Sequence, residues 1–387
     1  MIIFALCALS FLIWALIAGL LTLALKRVPA LVPPLVPASQ DCIEKKKVSI
    51  VIPARNEEED LADSLSSVLI QKGAELEVIV VNDHSSDRTG EIAENAAKSD
   101  SRVRVIHNPP LRPGWLGKCN AMQQGAAAAS GEYLLFADAD IIHTPGNIAA
   151  ALSVMQERDY DLISLMPKFI INLFWESVMV PMYFMGIVLY LTPSLEDPNS
   201  CEAAASGAFI LVKSSVFQSI GGFKQVKGEM YDDVSFARLV KRSGFRAGFR
   251  LGPDYLKVQL FKSNREAFWG TTKNVLMVGK GNPWLAVPAA ILSFLIFGPP
   301  LYAVFAGVLA GMTDGKALLL ALTGMAVYGL QYASLFLSRR LFQFSPAKAL
   351  FFPLSAVVAT CCISRALYLY LVKGVILWRG RKIKVRP

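Results

Sequence analysis

The run Tyr133-Leu134-Leu135-Phe136-Ala137-Asp138-Ala139-Asp140 decides how this chain is to be read. Four apolar residues lead directly into two aspartates one residue apart. A short buried strand of this kind delivers both carboxylates to the edge of a cleft. Hard oxygen ligands in that position suit a divalent cation that a phosphorylated ligand also coordinates. Taken alone, Asp-x-Asp equally describes a solvated surface loop. The flanking chain has to decide between the two.

Upstream of it, Val48-Ser49-Ile50-Val51-Ile52, Val78-Ile79-Val80-Val81 and Val103-Arg104-Val105-Ile106 read as strands. Between the first two, Leu61, Leu65, Val68 and Leu69 share one face of a helix that Asn56 is expected to cap, with Glu59 three residues on. Helices are expected over residues 87–98 and 120–129, and Thr144 is expected to cap another. Downstream, residues 162–165 and 206–212 read as strands, and Ser214 caps a short helix ended by Gly221-Gly222-Phe223. Asp232-Asp233 opens a helix that runs to Arg242, with Gly244 as its stop. Strands alternating with helices at this spacing predict an α/β fold with a mostly parallel sheet. Ligands of such sheets sit at the carboxyl ends of the strands.

Three strands end in polar groups at that edge. The first runs into Pro53-Ala54-Arg55-Asn56-Glu57-Glu58, the second into Asn82-Asp83-His84-Ser85-Ser86-Asp87, the fourth into Asp138-Ala139-Asp140. A carboxylate such as Asp83 can accept hydrogen bonds from a base N–H or from ribose hydroxyls. Asp138 and Asp140 suit a metal that bridges a diphosphate. Lys118, in the glycine-flanked stretch Gly114-Trp115-Leu116-Gly117-Lys118, can neutralise phosphate charge or simply be a solvated lysine. Likewise, Asn56 and Asp87 serve as helix caps with or without a ligand. His143 is either a further metal ligand or a polar neighbour of the Thr144 cap.

Composition places this domain on a membrane. The chain has 387 residues, 54% of them hydrophobic, with mean hydropathy +0.44, too apolar for an ordinary soluble domain. Its net charge is +9, but no Arg-rich helix or aromatic-basic interleaving points to nucleic acid. Basic loops beside membrane spans account for the charge instead. The six cysteines lack any C-x-x-C spacing, which argues against zinc and a disulfide framework.

Residues 1–26 are expected to form an N-terminal transmembrane anchor and 27–47 a stiff proline-rich linker. Lys26, Arg27 and Lys45-Lys46-Lys47 then keep the following domain, 48–282, in the cytoplasm. Within it, residues 170–191 are apolar and aromatic but carry Glu176, Pro181 and Gly186, so an interfacial or core helix pair is expected there. C-terminal transmembrane helices are expected within 285–378, the last run spanning residues 350–378. Pro353 and Arg365 interrupt that run, and the side on which the basic tail, 379–387, emerges stays open. The protein is thus expected to be a multi-pass membrane protein.

The matched stretches Val51-Ile52-Pro53-Ala54-Arg55-Asn56-Glu57, Val80-Val81-Asn82-Asp83-His84-Ser85-Ser86-Asp87, Gly117-Lys118, Asp138-Ala139-Asp140, Gly207, Gly221-Gly222-Phe223 and Asp232-Asp233, in this order and spacing, resemble glycosyltransferase family 2. The resemblance covers residues 48–277 and implies a GT-A nucleotide-sugar-binding domain. With the terminal spans, the chain looks most like membrane-bound members that glycosylate lipids, the hopene-associated and carotenoid (diaponeurosporenoate) glycosyltransferases. The resemblance implies that Pro53, Ala54, Arg55, Glu57 and Asp83 bind the nucleoside of a nucleotide-diphosphate sugar, UDP-sugar being favoured. Lys118 would lie near base or diphosphate, Asp138 would contact ribose and metal, and Asp140 would be the principal ligand of Mg2+ or Mn2+. Asp233, supported by Asp232, would be the general base of an inverting transfer.

The pattern departs from the family in one place. Processive members carry Gln-x-x-Arg-Trp after the catalytic carboxylate, whereas here Gln259, Arg265 and Trp269 are too far apart. A single sugar moved to a membrane lipid (hopanoid, carotenoid or similar) is therefore expected. Polyprenyl-phosphate transfer, processive polysaccharide synthesis and a non-catalytic membrane scaffold are the alternatives.

Overall fold

A computed structural model describes residues 2–27, 46–180, 195, 197, 200–229, 231–278, 286–311, 315–338, 345–378 and 381–384. Two compact units make up the chain. One comprises Met1–Arg27, Ile170–Leu191 and Gln259–Pro387, the other Val28–Phe169 and Thr192–Val258. Most of the expected linker, residues 28–45, lies outside the described residues, as do Arg339-Arg340 and residues 181–191 of the apolar stretch.

The chain opens with helix α1 (Ile2–Arg27) and then builds the α/β unit. Its first half comprises β1 (Lys47–Ala54), α2 (Leu61–Leu69), β2 (Glu75–Asn82), α3 (Thr89–Ser99), β3 (Val103–His107), α4 (Gly117–Ala128) and β4 (Tyr133–Phe136). There follow β5 (Ile141–His143), α5 (Asn147–Arg158), β6 (Leu162–Met166), β7 (Lys168–Ile170) and β8 (Ile210–Lys213). α6 (Ser214–Ser219), a 3-10 turn (Gly222–Val226), α7 (Asp232–Arg242), β9 (Ala247–Leu251) and β10 (Leu256–Gln259) complete it.

Seven strands form one sheet in the order β3-β2-β1-β4-β8-β6-β9, and β5, β10 and β7 form a smaller one. β3, β2, β1 and β4 run parallel to one another, with Ala54 opposite Asn82 and Val51 opposite Phe136. β8 alone runs against both of its neighbours, while β6 and β9 are again parallel. The sheet is therefore mostly parallel, as its buried, near-continuous apolar strands require. Side chains alternate along a strand. β1 sends Ile50 and Ile52 to the face covered by Leu61 and Leu65 of α2 and Leu152 of α5. Val51, with Ile79, Val81 and Phe136, faces Met122 of α4 and Phe236 of α7. On that second face Phe136, Phe217, Phe223 and Phe236 pack ring to ring, with centroids 4.6–6.4 Å apart.

Several expected boundaries are corrected. Asn56 caps no helix: it sits at φ 54° in the loop, and α2 starts only at Leu61. Thr144 is likewise no cap, since its N–H pairs with the Tyr255 carbonyl and α5 begins at Asn147 after Gly146. Helix α4 starts at Gly117 rather than 120, so Lys118 lies in its first turn instead of in a loop. The strand expected over 206–212 is only Ile210–Lys213.

In the other unit, α1 is followed after the α/β domain by α8 (Asn264–Val278), α9 (Ala286–Leu309), α10 (Gly315–Ser338), α11 (Pro346–Ala349) and α12 (Leu354–Tyr368). A π-helical turn (Leu369–Lys373) leads to a hairpin of β11 (Val375–Trp378) and β12 (Arg381–Lys384). The apolar run over 350–378 is therefore not one helix: it enters at Pro353, loosens after Tyr368 and ends as a strand. Segments 2–23 and 315–337 are long and apolar enough to cross a membrane. A Cβ at Gly307 would meet the Ala317 carbonyl at 2.6 Å, and one at Gly324 the Pro300 carbonyl at 2.6 Å. These two glycines let α9 and α10 approach closely, the packing small residues give in apolar helix pairs. Trp14 of α1 packs edge-on against Phe297 and Phe352.

Candidate active site

The loops after β1 and β2 are stitched to each other. Arg55 Nη1 donates to the Asp83 carbonyl at 2.7 Å, and the Asp83 N–H donates to the Ala54 carbonyl at 2.9 Å. Asn56 donates its N–H to Ser85 Oγ and accepts from the Ser86 N–H. This crosslink is why Asn56 takes the left-handed conformation that Asn tolerates. The Glu57 N–H is held by Thr89 Oγ1 at 2.7 Å. Burial opposes ionisation of Asp87, but the Thr89 hydroxyl and amide and the loop amides outweigh it and hold its carboxyl below the usual range. Asp83 is buried, with its Oδ1 3.1 Å from His84 Nδ1. Pro53, Ala54, Arg55, Glu57 and Asp83 thus line one rigid edge, at the carboxyl ends of β1 and β2.

β4, α4 and α7 bring four charged side chains together. Lys118 Nζ lies 2.6 Å from Asp138 Oδ1 and 3.7 Å from Asp232 Oδ2. Asp233 Oδ2 accepts from the Gly207 N–H at 3.0 Å, and its Oδ1 from the Val234 N–H at 2.8 Å. A Cβ on Gly207 would stand 2.7 Å from Lys118 Nζ and 3.0 Å from Asp138 Oδ2. Only glycine lets that backbone approach the cluster. Burial alone would discharge Lys118, but Asp138, Asp232 and Asp233 hold its pKa well above the ordinary lysine value. Burial pushes Asp232 up to about 6, with Lys118 opposing and Asp233 adding to the shift. Asp233 is raised by burial too, against Lys118 and the two amides. Asp232 Oδ2 is buried without a hydrogen-bond partner.

Asp140 follows Asp138 by two residues and is half-buried just before β5. Among the described residues, no three His, Cys, Asp or Glu side chains cluster as a self-sufficient metal site. The donor set at Asp138 and Asp140 fits a hard cation that takes one or two carboxylates and draws its other ligands from phosphate and water. His143 does not belong to this set. Its Nδ1 pairs with the Asn147 amide at 2.8 Å, its Nε2 is buried without a partner, and burial pushes its pKa down to about 4. It is a core histidine.

Two features of the site escaped the sequence reading. The Gly207 amide was legible only as a matched glycine, because nothing in a lone Gly announces a close approach to Asp233. Tyr231, 41% exposed, immediately precedes the two aspartates, and burial with the Asp233 carboxylate pushes its phenol up to about 12. No pattern marked it.

Comparisons with known proteins show the family and the fold. A family model described as glycosyl transferase family 2 matches residues 49–247. The 4,4'-diaponeurosporenoate glycosyltransferase of Staphylococcus aureus (strain MRSA252) is 24% identical over 345 residues, covering 88% of this chain and 89% of the relative. The solved structure of a mannosyltransferase from Pyrobaculum calidifontis, in complex with GDP-Man and Mn2+, superposes with a TM-score of 0.53 at 18% identity. It covers 93% of this chain and 97% of that one, which establishes the shared GT-A fold.

Proposed function

The chain belongs to glycosyl transferase family 2 and is a glycosyltransferase, and from that premise we propose that it moves a single sugar from a nucleotide-diphosphate sugar to a membrane lipid, with inversion, at the cytoplasmic face. The observation that carries the proposal is the cluster of Lys118, Asp138, Asp232 and Asp233 around the Gly207 amide. It combines a cation for a diphosphate, carboxylates for a hard metal and a half-buried, hydrogen-bonded carboxylate for a base in one place.

The geometry supports the following roles. Arg55, Glu57 and Asp83, with the backbone of Pro53 and Ala54, hold the nucleoside against the stitched edge. Asp138 and Asp140 would hold Mg2+ or Mn2+, which would supply positive charge against the departing nucleoside diphosphate. Lys118 adds its ammonium to the same charge. Asp233 is fixed by the Val234 and Gly207 N–H groups at the start of α7. From there it takes the proton of an acceptor hydroxyl as the oxygen attacks the anomeric carbon. If the acceptor is a carboxylate, no such proton has to be removed, and Asp233 orients the acceptor instead. Asp232 supports Asp233 and faces Lys118. One displacement inverts the anomeric centre.

The lipid acceptor is supported by the membrane-compatible helices and by residues 170–180, which group with them. There Phe174 and Trp175 are exposed, Phe174 packs edge-on against both Trp175 and Phe351, and Lys348 donates to the Asn172 carbonyl. Aromatic rings beside a lysine are what a membrane–water interface selects. A carotenoid-like acceptor fits the substrate that the Staphylococcus aureus relative's name gives. Mass spectrometry and NMR of the glycolipid formed by the purified protein test the proposal. One sugar per lipid with inverted anomeric configuration supports it. Retained configuration or a polymer ladder contradicts it.

A further inference from the structure

His107 closes β3, the edge strand of the large sheet, and lies opposite Asn82 at the last rung of the β2–β3 ladder. Side chains alternate along a strand, and this rung puts both on one face, where they meet. Asn82 Nδ2 lies 3.2 Å from His107 Nδ1, and His107 Nε2 lies 2.7 Å from Glu94 Oε1 of α3. Gly90 of α3 leaves room for the pair: a Cβ there would stand 2.8 Å from Asn82 Nδ2 and 3.5 Å from His107 Cε1.

The network fixes the protons. Asn82 Oδ1 accepts from the Ser85 N–H at 3.2 Å, and a backbone amide can only donate. The end of Asn82 that faces His107 is therefore its NH2, which also only donates. His107 Nδ1 must accept, so the ring proton sits on Nε2 and is given to the Glu94 carboxylate.

Through Asn82 this chain reaches the nucleoside edge. Asn82 is buried, and its carbonyl accepts from the His84 N–H at 3.1 Å and from the Asn108 N–H at 2.8 Å, while its side chain holds Ser85. Ser85 Oγ in turn accepts from the Asn56 N–H across the loop. Within this turn stands Asp83, followed by His84 at φ 58°, a left-handed backbone that contacts of this kind keep in place. The His107 and Glu94 side chains are 37% and 45% exposed, where an ion pair adds little to stability. What the contact adds is the orientation of a buried amide.

We propose that His107 is a positioning residue of the nucleoside subsite. Held by Glu94 with its proton on Nε2, it orients the Asn82 amide, and Asn82 fixes the turn that presents Asp83 to the nucleoside. The inference rests on the reading of Asp83 as a nucleoside contact and extends it to two residues that touch no ligand. Outer partners of this kind set how well a site is formed before its ligand arrives.

The test uses the purified full chain in neutral detergent with Mg2+ present, calorimetry as readout, and UDP, GDP and dTDP as probes. Inorganic pyrophosphate is the control ligand, because it offers charge to Lys118 and the metal but no nucleoside. His107→Leu should weaken the preferred nucleotide by about three- to tenfold, the range for one lost hydrogen bond, and leave pyrophosphate unchanged. His107→Asn, whose Oδ1 can stand in for Nδ1 towards Asn82, should recover most of the affinity. Glu94→Leu repeats the test on α3 without touching the sheet and should weaken the nucleotide by about twofold or more. In turnover the loss should appear in the donor KM, with kcat within about twofold of wild type. Wild-type nucleotide affinity in both leucine variants, equal loss of nucleotide and pyrophosphate, or no recovery in His107→Asn overturns the proposal. Asp83→Ala separates it from the reading beneath it. Weakened nucleotide binding there beside unchanged binding in His107→Leu strikes the positioning role alone. Wild-type binding in Asp83→Ala, or no binding of the three nucleotides to the wild type, strikes the nucleoside reading and the positioning role with it.

Discussion

At Gly207 there is room for a hydrogen and nothing larger, because Lys118 Nζ and Asp138 Oδ2 would both press on a Cβ. Gly207→Ala should therefore lower kcat/KM by roughly tenfold or more while the melting temperature stays near wild type. Steady-state kinetics beside thermal unfolding separates the two effects. His143 makes a stability prediction of opposite character. Its folded pKa of about 4 lies below the ordinary value of 6.5, so the unfolded chain binds the extra proton first. Stability should be highest above pH 6.5, fall as pH drops towards 4 and level off below, by the order of 3 kcal/mol in all. Urea titrations across that range should show the slope, and His143→Gln should flatten it. The positions of Asp138, Asp140 and Asp233 just past a strand and at a helix start were legible in the sequence, because such carboxylates keep their chain order. His143 was not: its spacing from Asp140 fits a ligand, and only its burial shows otherwise.

Among the elements, α4 carries the most consequence, because Lys118 sits in its first turn and Gly125 presses its middle onto the sheet. A Cβ at Gly125 would lie 2.4 Å from Val51 Cγ1 and 3.0 Å from Val81 Cγ2. Gly125→Val should force the helix off the strands, cost roughly 1–3 kcal/mol of stability and raise the donor KM by displacing Lys118. Denaturant midpoints and donor titration check both effects. The strands of the parallel half were readable from their apolar runs, since burial on both faces leaves little else for them to be. Helix starts were harder to read. Asn56 and Glu59 spell a capping box, but the loop spends Asn56 on Ser85 and Ser86, and α2 begins two residues past Glu59. A tertiary crosslink of that kind has no local signature. The antiparallel turn at β8 is likewise set by packing between Leu135 and Ile163, not by its own residues.

For the molecule as a whole, two sets of apolar helices were visible from hydropathy, and the charged cluster from the residues at the strand and helix ends. The last run was not resolved by it: hydropathy counts residues 350–378 as continuous, whereas the backbone changes from helix to π turn to strand. The Asp138–Asp140 and Asp232–Asp233 pairs are proposed to glycosylate a lipid. Membranes holding the protein, supplied with labelled UDP-, GDP- and dTDP-sugars and Mn2+ or Mg2+, test it most directly when label is followed into the lipid extract. One donor should label a single-sugar lipid in a metal-dependent way, and Asp140→Ala and Asp233→Asn should each cut this by at least about a hundredfold. Wild-type turnover in both variants, or label found only in high polymer, would rule out lipid glycosylation through these carboxylates.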